Sequence, residues 1–363
     1  MATSGKKILA LMSGGVDSAV AAALLQEQGN TVIGITMKIW DGRTAGTGST
    51  HHGCYGPGEE EDIEDARKIA QKLGIPFHIL DLTKEYQTTV LDYFCSEYLS
   101  GRTPNPCVRC NPIIKFGALI ERARLSGLEF DYIASGHYAR VEFDSDTNRY
   151  LLKKAQDIAK DQTYFLAFLA QAQLSHLILP LGEYTKIEVR AMAKRFGMPV
   201  ADKPDSQNFV CGDYSTIIQA ESKPGPILDI NGNTLGMHRG LQFYTIGQRK
   251  GLDISAKQPL YVISLDPVKN AVTVGLKENI YKNEFIVANL NWIAVENLIE
   301  PVEMNVKIRS AHKESEAALL PVDSTRIMVK FKESQLAITP GQAAVFYRDD
   351  VVYGGGIIES VLA

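Results

Sequence analysis

An apolar run at residues 8–12 leads directly into Ser13-Gly14-Gly15-Val16-Asp17-Ser18, which opens an alanine-rich stretch reaching Gln28. Strand, glycine turn and helix in immediate succession leave few folds open. Glycines let the backbone approach a ligand closely, and the free N–H groups of a helix start attract an anion. Ser13 and Ser18 add hydroxyls. The spacing predicts a phosphate-binding turn at the first βα crossover, where open parallel sheets hold nucleotides. A turn that merely caps a helix is the alternative. The loop lacks the terminal Gly-Lys-Ser/Thr of a kinase-type P-loop, which argues against transfer of a γ-phosphoryl group.

From Lys6 to about Pro204, strand-like runs alternate with helical patterns: 8–12, 16–28, 31–39, 60–73, 77–80, a long helical stretch, then 132–134. This alternation predicts an α/β fold, a doubly wound parallel sheet with helices on both faces. After Asp205 the texture changes to short strand candidates punctuated by Pro224, Gly225, Pro226, Gly232, Gly236 and Gly240, and then to alternating runs at 302–308, 325–331 and 343–347. The expected organisation is a catalytic domain over 1–206, a central β-rich adaptor over 207–282 and a C-terminal β-barrel over 283–363. Both later parts are expected to form small barrels.

No apolar run approaches the ~20 residues that a membrane-spanning helix needs. A cytoplasmic protein is expected. The cysteines, Cys54, Cys95, Cys107, Cys110 and Cys211, are odd in number and irregularly spaced, unlike a disulfide framework. Reduced thiols follow. A net charge of -4 gives no whole-molecule attraction for nucleic acid, so RNA binding needs a local basic face.

The stretch from Arg102 to Asn111 carries two prolines and two thiols three residues apart. It reads as a rigid loop, with Arg109 between the thiols lowering their pKa and enriching the thiolate. Structural zinc is the alternative for Cys-x-x-Cys, but no second such pair completes a four-ligand site. Cys95, among Tyr93, Phe94 and Tyr98, reads as a packed residue. Cys54 follows His51 and His52 in a glycine-rich stretch, which is read as a loop that is solvated or covers the nucleotide, with a metal site as the alternative.

The first motif resembles the pyrophosphate loop of the ATP pyrophosphatase superfamily, also known as the PP-loop or adenine-nucleotide alpha hydrolase type, whose members leave AMP on a substrate oxygen. Further along come Gly101-Arg102-Thr103-Pro104-Asn105-Pro106, Asn111 with Lys115-Phe116, Gly136-His137-Tyr138, Lys160-Asp161-Gln162-Thr163-Tyr164-Phe165-Leu166, Thr245-Ile246-Gly247-Gln248-Arg249-Lys250-Gly251-Leu252 and Thr339-Pro340-Gly341-Gln342. In that order they resemble the bacterial tRNA-specific 2-thiouridylases along the whole chain.

The resemblance implies ATP on Leu11, Met12, Ser13, Gly14, Gly15, Val16, Asp17, Ser18 and Gly136, with Mg2+ near Asp17 and the adenine pocket near Met37, for which core packing is the alternative. It implies Cys110 as nucleophile and Cys211 as persulfide carrier, with Asn105, Pro106 and Cys107 meeting the target base. His137, Lys160, Asp161, Gln162 and Gln342 match tRNA-contacting positions. The implied partners are the tRNA anticodon loop and a sulfur donor, a cysteine desulfurase or sulfur-relay protein. Two positions depart from the family pattern. Cys107 stands where many members have Asp, and Cys211 comes one residue later than in Asp-Ser-x-x-Ile-Cys. Cys107, Cys110 and Cys211 are also enough thiols for a [4Fe-4S] cluster with one open iron, the alternative to a persulfide relay.

Lys153, Lys154, Lys160, Arg239, Arg249, Lys250, Lys307, Arg309, His312 and Lys313 could form one positive track for tRNA phosphates, or simply a solvated surface. Tyr138 and Tyr164 are candidates for stacking on a base, with core packing as the alternative.

Overall fold

The computed structural model describes residues 5–42, 53–204, 208–210, 217–218 and 221–362. Among these, five parallel strands make the first sheet: β1 (Lys7–Leu11), β2 (Thr31–Lys38), β3 (Phe77–Asp81), β4 (Tyr132–Ala134) and β5 (Leu177–Ile178). Their order is β3-β2-β1-β4-β5. In β1, Ile8 and Ala10 face one core with Ala22 and Leu25, while Leu9 faces the other with Ile35 and Ile133. Burial on both faces is why this strand reads as a continuous apolar run and not as an alternating one.

The chain leaves β1 toward β2 and β3, then returns to the opposite side of β1 for β4 and β5. Connections therefore diverge at the carboxyl ends of β1 and β4, opening the crevice in which doubly wound sheets hold ligands. Helix α1 (Val16–Glu27) starts in that crevice and is buried from Val16 to Leu25 except at Asp17. Its alanines let it lie close to the sheet. Helix α2 (Glu59–Leu73) and helix α3 (Lys186–Arg195) pack beside it.

The segment expected as a rigid loop around the cysteines is helical instead. Pro106 occupies the first position of a helical turn, Pro106–Cys110, where no backbone donor is needed and its fixed φ suits the helix. Asn105 caps that turn by accepting from the Cys107 N–H at 3.1 Å. The chain continues into Asn111–Ala118, wound with wide i→i+5 turns. Such turns are rare and concentrate at functional sites.

Six antiparallel strands close into a barrel in the order Tyr281–Trp292, Ile327–Leu336, Ser315–Pro321, Val302–Lys307, Ala343–Arg348, Val351–Val361, with the last pairing back on the first. Phe285, Val306, Leu319, Val329, Phe331 and Phe346 fill it. A hairpin from the first part of the chain, Arg140–Asp144 with Arg149–Lys153, extends this sheet through Leu152 opposite Val352. The central part is β-rich, as expected, and only the closure into a barrel is missing among the described residues. Its strands Thr234–His238, Gly225–Leu228, Ala271–Gly275 and Tyr261–Asp266 form one four-stranded sheet, with no closing pair among the described residues.

Thr103 is where the three parts meet. Its N–H donates to the Pro340 carbonyl at 2.9 Å, its carbonyl accepts from Gln342 Nε2 at 2.8 Å, and its hydroxyl lies 3.3 Å from that of Thr245. A Cβ on Gly341 would stand 2.9 Å from the Thr103 nitrogen, so only glycine admits this approach.

Candidate nucleotide and thiol site

The glycine turn sits at the switch point between β1 and β4. Ser18 Oγ donates to the Gly15 carbonyl at 3.1 Å, accepts from the Ser13 N–H at 3.2 Å, and lies 3.3 Å from Ser13 Oγ. Gly15 precedes α1 with no side-chain cap, so the first N–H groups of the helix are left for a ligand. Gly14 has φ +72°, and a Cβ there would strike the Asp62 carbonyl. Gly136 closes the turn from the β4 side, where a Cβ would stand 2.7 Å from both Asp17 C and Ser18 N.

A cavity of about 450 Å³ opens over this turn. Leu11, Met12, Ser13, Gly15, Val16, Asp17 and Ser18 form its floor, and Ser135, Gly136, His137 and Tyr138 one side. Ile35, Met37 and Ile39, successive same-side positions along and just past β2, give it an apolar wall of the kind a flat base packs against. Met37 thus lies in that wall.

Several charged residues in or beside this cavity escaped the sequence reading. Lys186 on α3 pairs with both oxygens of Asp17, at 2.7 and 2.9 Å, and Tyr138 donates to Asp17 Oδ1 at 2.9 Å. Lys203 reaches Asp62 at 2.8 Å and Asp65 at 2.6 Å. Glu59, 7% exposed, accepts from the Ile39 and Trp40 N–H groups at 2.7 and 3.0 Å through Oε1, while Oε2 is buried with no partner. Burial raises its pKa against the pull of those two donors. The available signals were weak: a lysine just after Thr185 at a helix start, one beside Pro204, and a glutamate opening α2.

Lys115 also lines the cavity and lies in electrostatic reach of Cys107, Cys110 and Cys54. Cys110 is buried and Cys107 partly so. The expected activation by Arg109 is overturned. Its Nε donates to the Thr89 carbonyl at 2.6 Å and its guanidinium lies 4.2 Å from the Tyr93 ring, so it serves packing. Burial pushes both thiols up, Cys110 to about 11, with Lys115 opposing. Cys54 lies on a short strand, Gly53–Tyr55, and not in a loop. Cys95 is half-buried, its thiol 3.6 Å from the Ile217 carbonyl. Cys211, His51 and His52 lie outside the described residues, and among the described ones no group of three or more His, Cys, Asp and Glu side chains is placed to hold a metal.

The residues expected to meet RNA divide into two sets. Lys160, Gln162 and His137 line the cavity. Burial, aided by Lys115, holds His137 at about 3, so its ring is neutral at pH 7, and its Nδ1 lies 2.8 Å from Ser135 Oγ. The other set is committed to the fold. Asp161 accepts from the Ala155 N–H and the Thr163 hydroxyl; Gln162, although it lines the cavity, also accepts the Tyr138 N–H through Oε1. Arg309 donates to the Ile246 and Ala337 carbonyls and to Thr339, joining the central sheet to the barrel. Lys153 and Lys154 pair with Glu142, Asp350 and Glu314. Tyr138 and Tyr164 are buried, with Tyr164 donating to the Ala343 carbonyl, so neither offers a face for stacking.

Residues 6–211 match the family described as tRNA methyl transferase HUP domain, 216–276 its PRC-barrel domain and 282–358 an aminomethyltransferase β-barrel domain. A tRNA-specific 2-thiouridylase from Endomicrobium trichonymphae is 49% identical over 97% of this chain and 98% of its own. The chain belongs to the tRNA-specific 2-thiouridylase family. A second 2-thiouridylase, from Acetivibrio thermocellus, is 45% identical over 98% of this chain and all of its own length, and one from Caldanaerobacter subterraneus is 47% identical over 97% and 98%. Methyl transfer is named in the domain descriptions, whereas the three near-full-length relatives above are named for 2-thiouridylation. No helix among the described residues is long and apolar enough to cross a membrane.

Proposed function

We infer that the chain is an ATP-dependent tRNA 2-thiouridylase, a sulfurtransferase that adenylates the C2 oxygen of the wobble uridine and replaces it with sulfur, releasing AMP and pyrophosphate. One observation carries this reading: a single cavity is lined both by a phosphate-binding turn and by Lys115, a lysine in electrostatic reach of Cys107 and the buried Cys110. An amide-forming ligase of the same fold has no use for those thiols.

The phosphate tail lies on the N-terminus of α1, whose free N–H groups and dipole oppose its charge. Lys186 and Lys203 add positive charge on either side of the turn. The target uridine, already unpaired in an anticodon loop, enters the cavity edge-on. Attack of its C2 oxygen on the α-phosphorus displaces pyrophosphate and makes that oxygen a good leaving group. A persulfide sulfur delivered from Cys211 or Cys110 then attacks C2 and AMP leaves. Attack of the other thiol on the resulting disulfide linkage releases the thiolated base and leaves Cys110 and Cys211 as a disulfide, which must be reduced before the next turnover.

Mg2+ accompanies ATP in such reactions and neutralises phosphate charge. Asp17, the carboxylate nearest the turn, is held by Lys186, so no step is assigned to the metal. The alternative is a cluster, for which Cys107, Cys110 and Cys211 would be the three thiol ligands and which would supply the sulfur in place of a persulfide. A cysteine desulfurase or relay protein is the sulfur source.

The test is tRNA-dependent conversion of ATP to AMP and pyrophosphate, with 2-thiouridine measured by mass spectrometry of the digested tRNA. Purified protein with tRNA, ATP and a sulfur source that yields neither product sinks the reading.

A further inference from the structure

The segment that leads into the thiols is fastened to the barrel by the side chain of Arg102. This residue follows the helix Asp92–Leu99, and its Nε donates to Glu97 Oε2 on that helix at 2.7 Å. The other two arms of the guanidinium reach the last barrel strand, Nη1 to the Glu359 carbonyl at 3.0 Å and Nη2 to the Ile358 carbonyl at 3.1 Å. Neighbouring carbonyls on a regular strand point to opposite edges, so one cation does not ordinarily take both. Here the strand is bulged. Ile286 stands opposite Ser360 and Val287 opposite Ile358, which leaves Glu359 as the extra residue. The bulge turns its carbonyl to the side on which the Ile358 carbonyl already accepts from the Gly341 N–H at 2.9 Å, and the planar fork of arginine fits the pair.

What Arg102 holds is carried straight to the cysteines. Thr103, the next residue, is bonded through both its N–H and its carbonyl to the barrel turn at Pro340 and Gln342. Only Pro104 and Asn105 separate it from Pro106, where the helical turn begins, and the two prolines fix φ on either side of Asn105. A link this short and stiff passes a shift at Arg102 on to Cys107 and Cys110. Beyond the turn, Asn111 Nδ2 donates to the Phe165 carbonyl at 2.9 Å, so the thiols are gripped from both ends. The phosphate cavity has no such dependence. The described residues that line it all fall between Leu11 and Pro204, none of them on a barrel strand that follows residue 280.

Resting on the thiolation reading above, we propose that Arg102 is a positioning residue for sulfur transfer: seated in the bulge at Glu359, it lets the barrel set the place of the Pro106–Cys110 turn, while activation of the base proceeds without it. The division follows from which elements build which site. The phosphate turn stands on β1, β4 and α1, whereas the thiols arrive on a segment whose first anchor is the barrel itself. Arg102 touches no substrate in this scheme and acts through the backbone of residues 103–106. Without its fork the turn is free to shift, and sulfur no longer meets C2 at reacting distance, a misplacement to which rates respond steeply.

The full-length protein with tRNA, ATP and glutathione persulfide is followed through a single turnover, pyrophosphate release reporting activation and mass spectrometry of the digested tRNA reporting 2-thiouridine. For Arg102→Lys, which keeps the charge and loses the fork, and for Arg102→Met, the rate of 2-thiouridine formation is expected to fall at least tenfold, with pyrophosphate release and ATP affinity within twofold of wild type. A residue needed only for stability would lower both rates together. In a second measurement, amide hydrogen exchange in the peptide spanning 103–111 should quicken in both variants, with the peptide spanning 13–27 unchanged. Equal loss of the two rates, loss of neither, or unchanged exchange at 103–111 overturns the proposal. If wild type itself yields no pyrophosphate and no 2-thiouridine, the functional reading falls, and the role of Arg102 with it.

Discussion

The Lys186 ammonium bridges the two carboxylate oxygens of Asp17, at 2.7 and 2.9 Å, directly beneath the turn that receives phosphate. Lys186 is 11% exposed and Asp17 31%, so the pair is screened only in part. Replacing Lys186 by Met strands a carboxylate facing the phosphate tail. ATP affinity measured by calorimetry is expected to drop at least tenfold, and the double variant Asp17→Asn/Lys186→Met to recover part of it. A double variant no better than the sum of the singles would show that the two side chains act separately.

Gly136→Ala places a methyl 2.7 Å from the backbone of Asp17 and Ser18, which cannot yield without moving the turn. Loss of ATP binding with an intact circular dichroism spectrum is the expected result. Wild-type affinity in this variant would mean that the turn adapts freely and that its close fit to β4 is dispensable.

Because burial holds Cys110 at about 11, alkylation by iodoacetamide should quicken roughly tenfold per pH unit from pH 7 to about 10. Lys115 opposes the burial, so Lys115→Met should slow alkylation at every pH in that range. Peptide mass spectrometry follows the site, and a rate that levels off near pH 8 would contradict the assignment.

His137 is depressed from an ordinary 6.5 to about 3 by burial and by Lys115. Between those values the unfolded chain binds a proton that the folded chain refuses, so stability is complete above pH 6.5 and declines as pH falls toward 3. His137→Gln removes this contribution. Its urea midpoint should therefore lose less than that of wild type between pH 7 and pH 4.5, and equal losses would place the acid sensitivity elsewhere.

The first sheet was legible because β1, the glycine turn and α1 are local, and local order survives in sequence. The barrel showed itself through alternation at 302–308 and 343–347. Pairing across distance did not show itself. Lys186 stands 169 residues from Asp17, and nothing in its neighbourhood announces the partner. The thiol segment was illegible for a subtler reason: proline breaks a helix from within, yet at the first helical position it starts one. The place of Arg109 between the cysteines gives no sign that its side chain extends away from them to Tyr93. Nor does the local sequence show that Gln342 and Arg309 hold parts of the fold together, Gln342 through Thr103 and Arg309 through Ile246.

The hairpin at Arg140–Lys153 lends its strand to the barrel, pairing Leu152 with Val352, and Lys154 N–H donates to the Asp350 carbonyl at 2.7 Å. The fragment beginning at residue 281 is consequently no self-sufficient module. Expressed alone, it would present bare backbone donors and acceptors at Val351 and Val352, an open rim that invites stacking with its own copies. Evolution could exchange the base-activating half of such a molecule only by carrying a piece of the barrel along with it.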